Sequence, residues 1–173
     1  MVEGESQIFL GIDPGSLKTG FGVLCFDVTG MLRHMAHGVV EMDGQLPLAQ
    51  RLSELSESLQ TLFQKYRPHH VIVEKIFLGK SAESAFKLGH ARGVVIAQAI
   101  RSGARLSEYA TREVKKAVAG NGGACKDSVQ KAVCSHLRLR SVVSLDASDA
   151  LALAIYHSYR WTERLRLEQG RIL

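Results

Sequence analysis

The sequence predicts an α/β fold: a mixed five-stranded sheet flanked by helices on both faces. Three observations predict it. Three strand-like runs joined by tight turns open the chain. Apolar residues at helical spacing then alternate with short β-branched runs. Finally, the last third carries three helical patterns and no further strand. The order βββαβαβααα therefore puts an antiparallel meander first and α/β crossovers after it.

The elements follow in order. Residues 7–13, 19–27 and 31–42 read as strands. Pro14-Gly15 turns the first into the second, and Asp27-Val28-Thr29-Gly30 turns the second into the third. Leu52, Leu55, Leu59 and Leu62 mark a helix over 47–66, with Pro47 near its first turn and Pro68 beyond its end. His70-Val71-Ile72-Val73-Glu74 is a short β-branched run after a helix, so it is expected beside the first strand and parallel to it. A second helix is expected over 81–102 and a fifth strand over 104–109. Thr111 is a candidate N-cap for a third helix, with Val114 and Val118 facing inward. Gly120-Asn121-Gly122-Gly123 breaks that helix, and another runs over 126–139. Ser144 or Asp146 starts the last helix, expected over 147–160. The charged tail after about residue 161 is expected to be partly disordered.

With 173 residues, 46% hydrophobic and 23% charged, the chain fits one domain over 1–173 with a substantial core. No apolar run reaches the roughly 18 residues of a membrane span, and MVEGESQ has no basic region of the kind that opens a signal peptide. Three cysteines without a CxxC pair point to a reducing, cytoplasmic setting rather than a disulfide framework or a zinc site. Charge is unevenly spread. Residues 101–140 hold nine Lys and Arg against three Asp and Glu, within a chain of net charge +5. Such a block suits a polyanion partner, and equally a solvated helix face.

The chemistry lies in four acids. Asp13 ends the first strand and Glu74 the fourth, so adjacent parallel strands would bring both to one sheet edge, where open α/β sheets place their sites. Asp146 and Asp149 share one face of the last helix's first turn, just before the apolar stretch ALALAIY. Taken singly, Asp13 could be a turn residue, and the helix acids could simply complement a dipole. Together, four carboxylates would repel one another unless divalent cations bound them. An all-oxygen set suits Mg²⁺, with Mn²⁺ able to substitute, and beside a basic surface it points to phosphoryl transfer.

Four segments carry a resemblance: GIDPGSLKTGFGV at 11–23, VIVEKIFLGKSAESAFKLGHARG at 71–93, EYATREVKKAVAGNGGACKDSVQ at 108–130 and DASDALALAIYH at 146–157. In this order and spacing the chain resembles the RuvC-type Holliday-junction resolvases, crossover junction endodeoxyribonucleases of the ribonuclease H-like fold. The resemblance implies that Asp13, Glu74, Asp146 and Asp149 are the catalytic and metal-binding residues, with Asp13 bridging the metals. It implies DNA contacts at Phe77, Lys115 and Lys126; Lys80, Arg92, Arg112 and Lys116 are further candidates for the DNA backbone. Phe77 would stack on an unpaired base, although such a residue can also be ordinary core. Lys126 follows a glycine-rich loop at a helix start, where backbone N–H groups favour phosphate. The implied partners are a four-way DNA junction, a second copy of the chain and the RuvA–RuvB branch-migration complex, with no membrane. Ala85, Leu88, Ala91 and Val95 on the second helix are candidate dimer contacts, or else intramolecular core. His157, two turns below Asp149, is expected to be packed rather than ligated.

Three other readings remain open at this point. Another ribonuclease H-like nuclease, acting on RNA or hybrid, would share the acids. A non-catalytic junction-binding protein would keep the basic face alone. An actin-like ATPase also starts with a strand, an Asp and a Gly, but it needs a second such hairpin that this sequence lacks.

Overall fold

A computed structural model describes residues 5–75, 82–141 and 143–169. Its five strands are β1 (Gln7–Asp13), β2 (Lys18–Phe26), β3 (Leu32–Glu41), β4 (His70–Glu74) and β5 (Arg105–Tyr109). They form one sheet in the order β3-β2-β1-β4-β5. β1–β2 and β2–β3 are antiparallel, whereas β1–β4 and β4–β5 are parallel. The expected meander and crossover are both present, and pairing of Ile12 with Val73 sets Asp13 and Glu74 side by side at the strand ends.

Period-two alternation along β1 sorts its side chains between two cores. Leu10 and Ile12, with Val23, Val71 and Val73, face α1 (Leu48–Tyr66) and α2 (Ala82–Arg101), where Leu55, Leu59, Phe63, Ala91, Val95 and Ala99 are buried. Phe9, Leu24, Phe26 and Ile72 face the other layer, α3 (Thr111–Ala119), α4 (Lys126–Leu137) and α5 (Leu145–Gln169). Ala91 and Val95 are thus intramolecular core and not dimer contacts: they sit on the face of α2 that covers the sheet.

Two expectations about helix ends change. Thr111 does not cap α3; the cap position belongs to Ala110, and no side-chain cap bond is made there. The last helix starts two residues earlier than expected and continues to Gln169, so most of the expected tail is helical. Ser144 serves its N-terminus, its Oγ accepting from the Ala147 N–H at 3.4 Å. Two features account for the extension. Trp161 packs on Phe9 and His70, with ring centroids 6.4 and 4.6 Å away. Beyond it, Arg160–Glu163 and Arg164–Glu168 pair along the helix surface, each at 2.7 Å.

Candidate active site

What carries Asp146 and Asp149 to the sheet edge is the close approach of α5 to β1 and β2. A Cβ on Gly11 would lie 2.0 Å from the Ala150 carbonyl oxygen, and one on Gly20 would lie 2.1 Å from that of Asp146. Real Cβ atoms do not tolerate such distances, so glycine at these two positions lets the first turn of α5 rest on the sheet backbone. Burial of Ala147, Ser148 and Ala150 against that surface turns the intervening acids, Asp146 and Asp149, toward the cleft. The glycines were visible in the sequence; their role depends on which helix lies over them.

All four predicted carboxylates line one cleft of about 540 Å³. Its walls also carry Lys18, Lys75, Arg92, Lys115 and Lys126. Asp13 lies beside three other acids, and its electrostatics show it. Burial pushes its carboxyl up to about 7; Asp149 and then Glu74 add to the rise, Lys126 opposes it, and Asp146 adds least. Lys126 reaches Asp149 Oδ2 at 3.0 Å. That bond holds the ammonium above its ordinary range. Glu74 is held differently, accepting from the Thr111 hydroxyl at Oε1.

Hence the carboxylates converge electrostatically without closing on one point. Among the described residues, no three His, Cys, Asp or Glu side chains stand close enough together to enclose an ion. The donor chemistry nevertheless fits a hard divalent cation: four carboxylates, no thiolate or imidazole among the described residues of the cleft, and one acid driven toward neutrality by burial and by its neighbours. A cation among them would relieve that repulsion.

The other predicted contacts divide. Lys126 lies within the carboxylate group. Lys115 lines the cleft, but its amine donates to the Ala124 carbonyl at 2.8 Å and so pins the glycine-rich loop. Arg92 is in the cleft wall and paired with Glu108. Arg112 and Lys116 are exposed and do not line the cleft. Phe77 and Lys80 lie outside the described residues. Ala85 and Leu88, expected at a dimer contact or in the core, line the cleft.

Sequence reasoning missed two supports of this site. Thr111, expected to cap a helix, turns its hydroxyl to Glu74. From α1, Arg51 donates to the Ser16 carbonyl at 2.8 Å and braces the turn after Asp13, leaving its own Nε buried without a hydrogen-bond partner. No local signal marks either one, because each acts across more than 30 residues of chain.

Comparison with known proteins agrees with this architecture. The family model described as crossover junction endodeoxyribonuclease RuvC matches residues 9–157. A crossover junction endodeoxyribonuclease RuvC from Bdellovibrio bacteriovorus is 48% identical over 165 residues, covering 95% of this chain and 98% of the relative. The Thermus thermophilus RuvC structure is 31% identical with a TM-score of 0.80, covering 91% of this chain and 96% of that one. The same protein in complex with a Holliday junction substrate gives a TM-score of 0.82 at 31% identity, covering 89% and 94%. This chain, with its ribonuclease H-like sheet, therefore belongs to the RuvC family of crossover junction endodeoxyribonucleases.

Proposed function

We propose that this chain is a structure-selective endonuclease that resolves four-way DNA junctions in homologous recombination and DNA repair. It would make paired symmetric nicks that leave 5′-phosphate and 3′-hydroxyl ends. The observation that carries this reading is the meeting of Asp13, Glu74, Asp146 and Asp149 in one cleft with basic walls. Family membership supports the substrate class, and a relative's structure holds a Holliday junction.

Asp13, Glu74, Asp146 and Asp149 would hold Mg²⁺, or Mn²⁺ in its place. When bound, such ions polarise the scissile phosphate and lower the pKa of a water for in-line attack, with the 3′-oxygen leaving. The chain's own residues prepare that chemistry. Asp13 sits where its neighbours oppose its charge, so positive charge entering the cleft is met by an acid that gains from it. Lys126, paired with Asp149 and half-exposed in the cleft wall, has an ammonium that can neutralise a phosphate oxygen. Lys75 on the wall adds positive charge for a DNA backbone, while Lys18 and Arg92 there are paired with Glu41 and Glu108.

One cleft nicks one strand, so paired nicks need two clefts, and we read the active species as a homodimer. The outward face of α2 supports this. Phe86 is 66% exposed and Ile100 62%, and Gly89, His90, Gly93 and Ala97 between them are exposed as well. An apolar strip of this kind on a charged protein is normally covered. The rest of the reading is a single nuclease domain, cytoplasmic and free of any membrane, that works with RuvA–RuvB. No helix among the described residues is long and apolar enough to cross a membrane.

The test is Mg²⁺-dependent cleavage of a synthetic four-way junction beside linear duplex and RNA–DNA hybrid. The junction should be cut selectively. Asp13→Asn and Glu74→Gln should bind it and fail to cut, with rates at least about 10³-fold lower. Equal cutting of all three substrates would defeat junction selectivity, and preference for the hybrid would favour the other ribonuclease H-like reading.

A further inference from the structure

Thr111 is the first residue of α3, yet it does nothing for the helix's free N–H groups. The N-cap is Ala110, which has no oxygen to offer, and a Ser, Thr, Asp or Asn there is ordinarily worth about 1 kcal/mol. The Thr111 hydroxyl instead crosses to β4 and donates to Glu74 Oε1. It is a half-buried member of the cleft wall.

The backbone at this point is fixed from other sides. Glu74 pairs in register with Tyr109 on β5, and the next amide, that of Lys75, donates to the Tyr109 carbonyl at 2.8 Å. From α2, Arg92 Nε lies 3.4 Å from the Glu74 carbonyl oxygen, while its guanidinium pairs with Glu108. Two elements thus hold the main chain of Glu74, and a third holds its carboxylate.

Glutamate carries one more rotatable bond than aspartate, and ordering such a side chain costs up to about 2 kcal/mol. Asp149 is confined by its bond to Lys126. The Thr111 hydroxyl at Oε1 narrows the rotamers open to the Glu74 carboxylate.

We propose that Thr111 is a positioning residue for divalent-cation binding: its hydroxyl holds the Glu74 carboxylate in one rotamer before the ion arrives. This rests on the nuclease reading above. Hydrogen-bond partners of metal-binding carboxylates commonly change metal affinity or activity 10- to 100-fold when removed. A valine keeps the β-branched shape of threonine and deletes only the donor, whereas a serine keeps the donor and deletes a methyl.

The experiment is calorimetric Mg²⁺ titration of the DNA-free protein, beside the Mg²⁺ dependence of junction cleavage and junction affinity in EDTA. Thr111→Val should weaken Mg²⁺ binding about 10-fold and shift half-maximal cleavage to correspondingly higher Mg²⁺. Junction affinity without metal should stay within about twofold, and Thr111→Ser should restore the Mg²⁺ dependence. Wild-type Mg²⁺ dependence in Thr111→Val would overturn the proposal, as would a serine variant as defective as the valine one. If Thr111→Val lost its circular dichroism signature, the Thr111→Ala and Thr111→Ser pair would decide by the same titration. A wild-type protein that neither binds Mg²⁺ nor cuts would instead defeat the nuclease reading.

Discussion

At the C-terminal ends of β1 and β4, acids crowd together, and among the described residues Lys126 brings opposing charge to Asp149. Toward the other end of the same strands, His70 and His157 are buried more deeply than the acids, at 3% and 5% exposure, yet they are satisfied. The Tyr109 hydroxyl lies 2.8 Å from His157 Nδ1, and His157 Nε2 lies 3.0 Å from His70 Nδ1. This chain closes with both rings neutral: the tyrosine donates to the first imidazole, which donates to the second. Phe9 stands edge-on to both rings, with centroids 4.8 Å from His157 and 5.2 Å from His70. Burial pushes His70 down to about 4 and His157 to about 3, so neither carries charge at neutral pH. One end keeps unfavourable charge, with four acids crowded into one cleft. The other removes charge and fills its hydrogen bonds, as a structural core requires.

The contrast can be broken from either side. The largest stability change is expected from Asp13→Asn in the absence of divalent metal. The folded pKa of Asp13, about 7, lies above its ordinary 3.8, so its contribution is fully present below pH 3.8 and is lost as pH rises through 7. Above pH 7 the wild type should therefore be less stable than Asp13→Asn by at most about 4 kcal/mol, with no difference below pH 4. Thermal melts in EDTA across that range check this. Mg²⁺ should raise the wild-type melting temperature at pH 8 and leave that of Asp13→Asn nearly unchanged.

Next comes His157→Ala, which opens a cavity under Phe9 and leaves two polar partners unsatisfied. A loss of about 3 kcal/mol is expected in urea unfolding at pH 7.5. Because both histidine pKa values are depressed below 6.5, their contribution is complete above that pH. It disappears as pH falls toward 4 for His70 and toward 3 for His157. The acid limb of the wild-type melting curve should accordingly flatten in His157→Ala. The smallest effect belongs to Tyr109→Phe, which removes one end of the chain and keeps the ring packed on Tyr156. About 1 kcal/mol should be lost, with no change in Mg²⁺ binding. A tyrosine variant that also lost Mg²⁺ affinity would show that the two ends are coupled.

The helical half of the active site was the less legible one. The spacing of Asp146 and Asp149 was plain, but only the packing of α5 on Gly11 and Gly20 puts them beside Asp13. The α2 positions chosen for a dimer contact illustrate the same limit. Periodicity finds an apolar stripe, and cannot say whether a sheet or another molecule covers it; Ala91 and Val95 went to the sheet.

From its amino acids alone, this chain determined its strands, their meander-then-crossover order, the two acids at neighbouring strand ends and the pair on a helical turn. Those features follow from periodicities of 2 and 3.6 residues and from turn chemistry, which act over a few neighbours. Tertiary structure alone decided that Thr111 serves Glu74, that His70 meets His157, that Arg51 braces the turn after Asp13, and that the last helix continues past Trp161. Each depends on groups brought together across long stretches of chain or on packing against the core, and no local pattern encodes which distant partner a hydroxyl, an imidazole or an indole will meet.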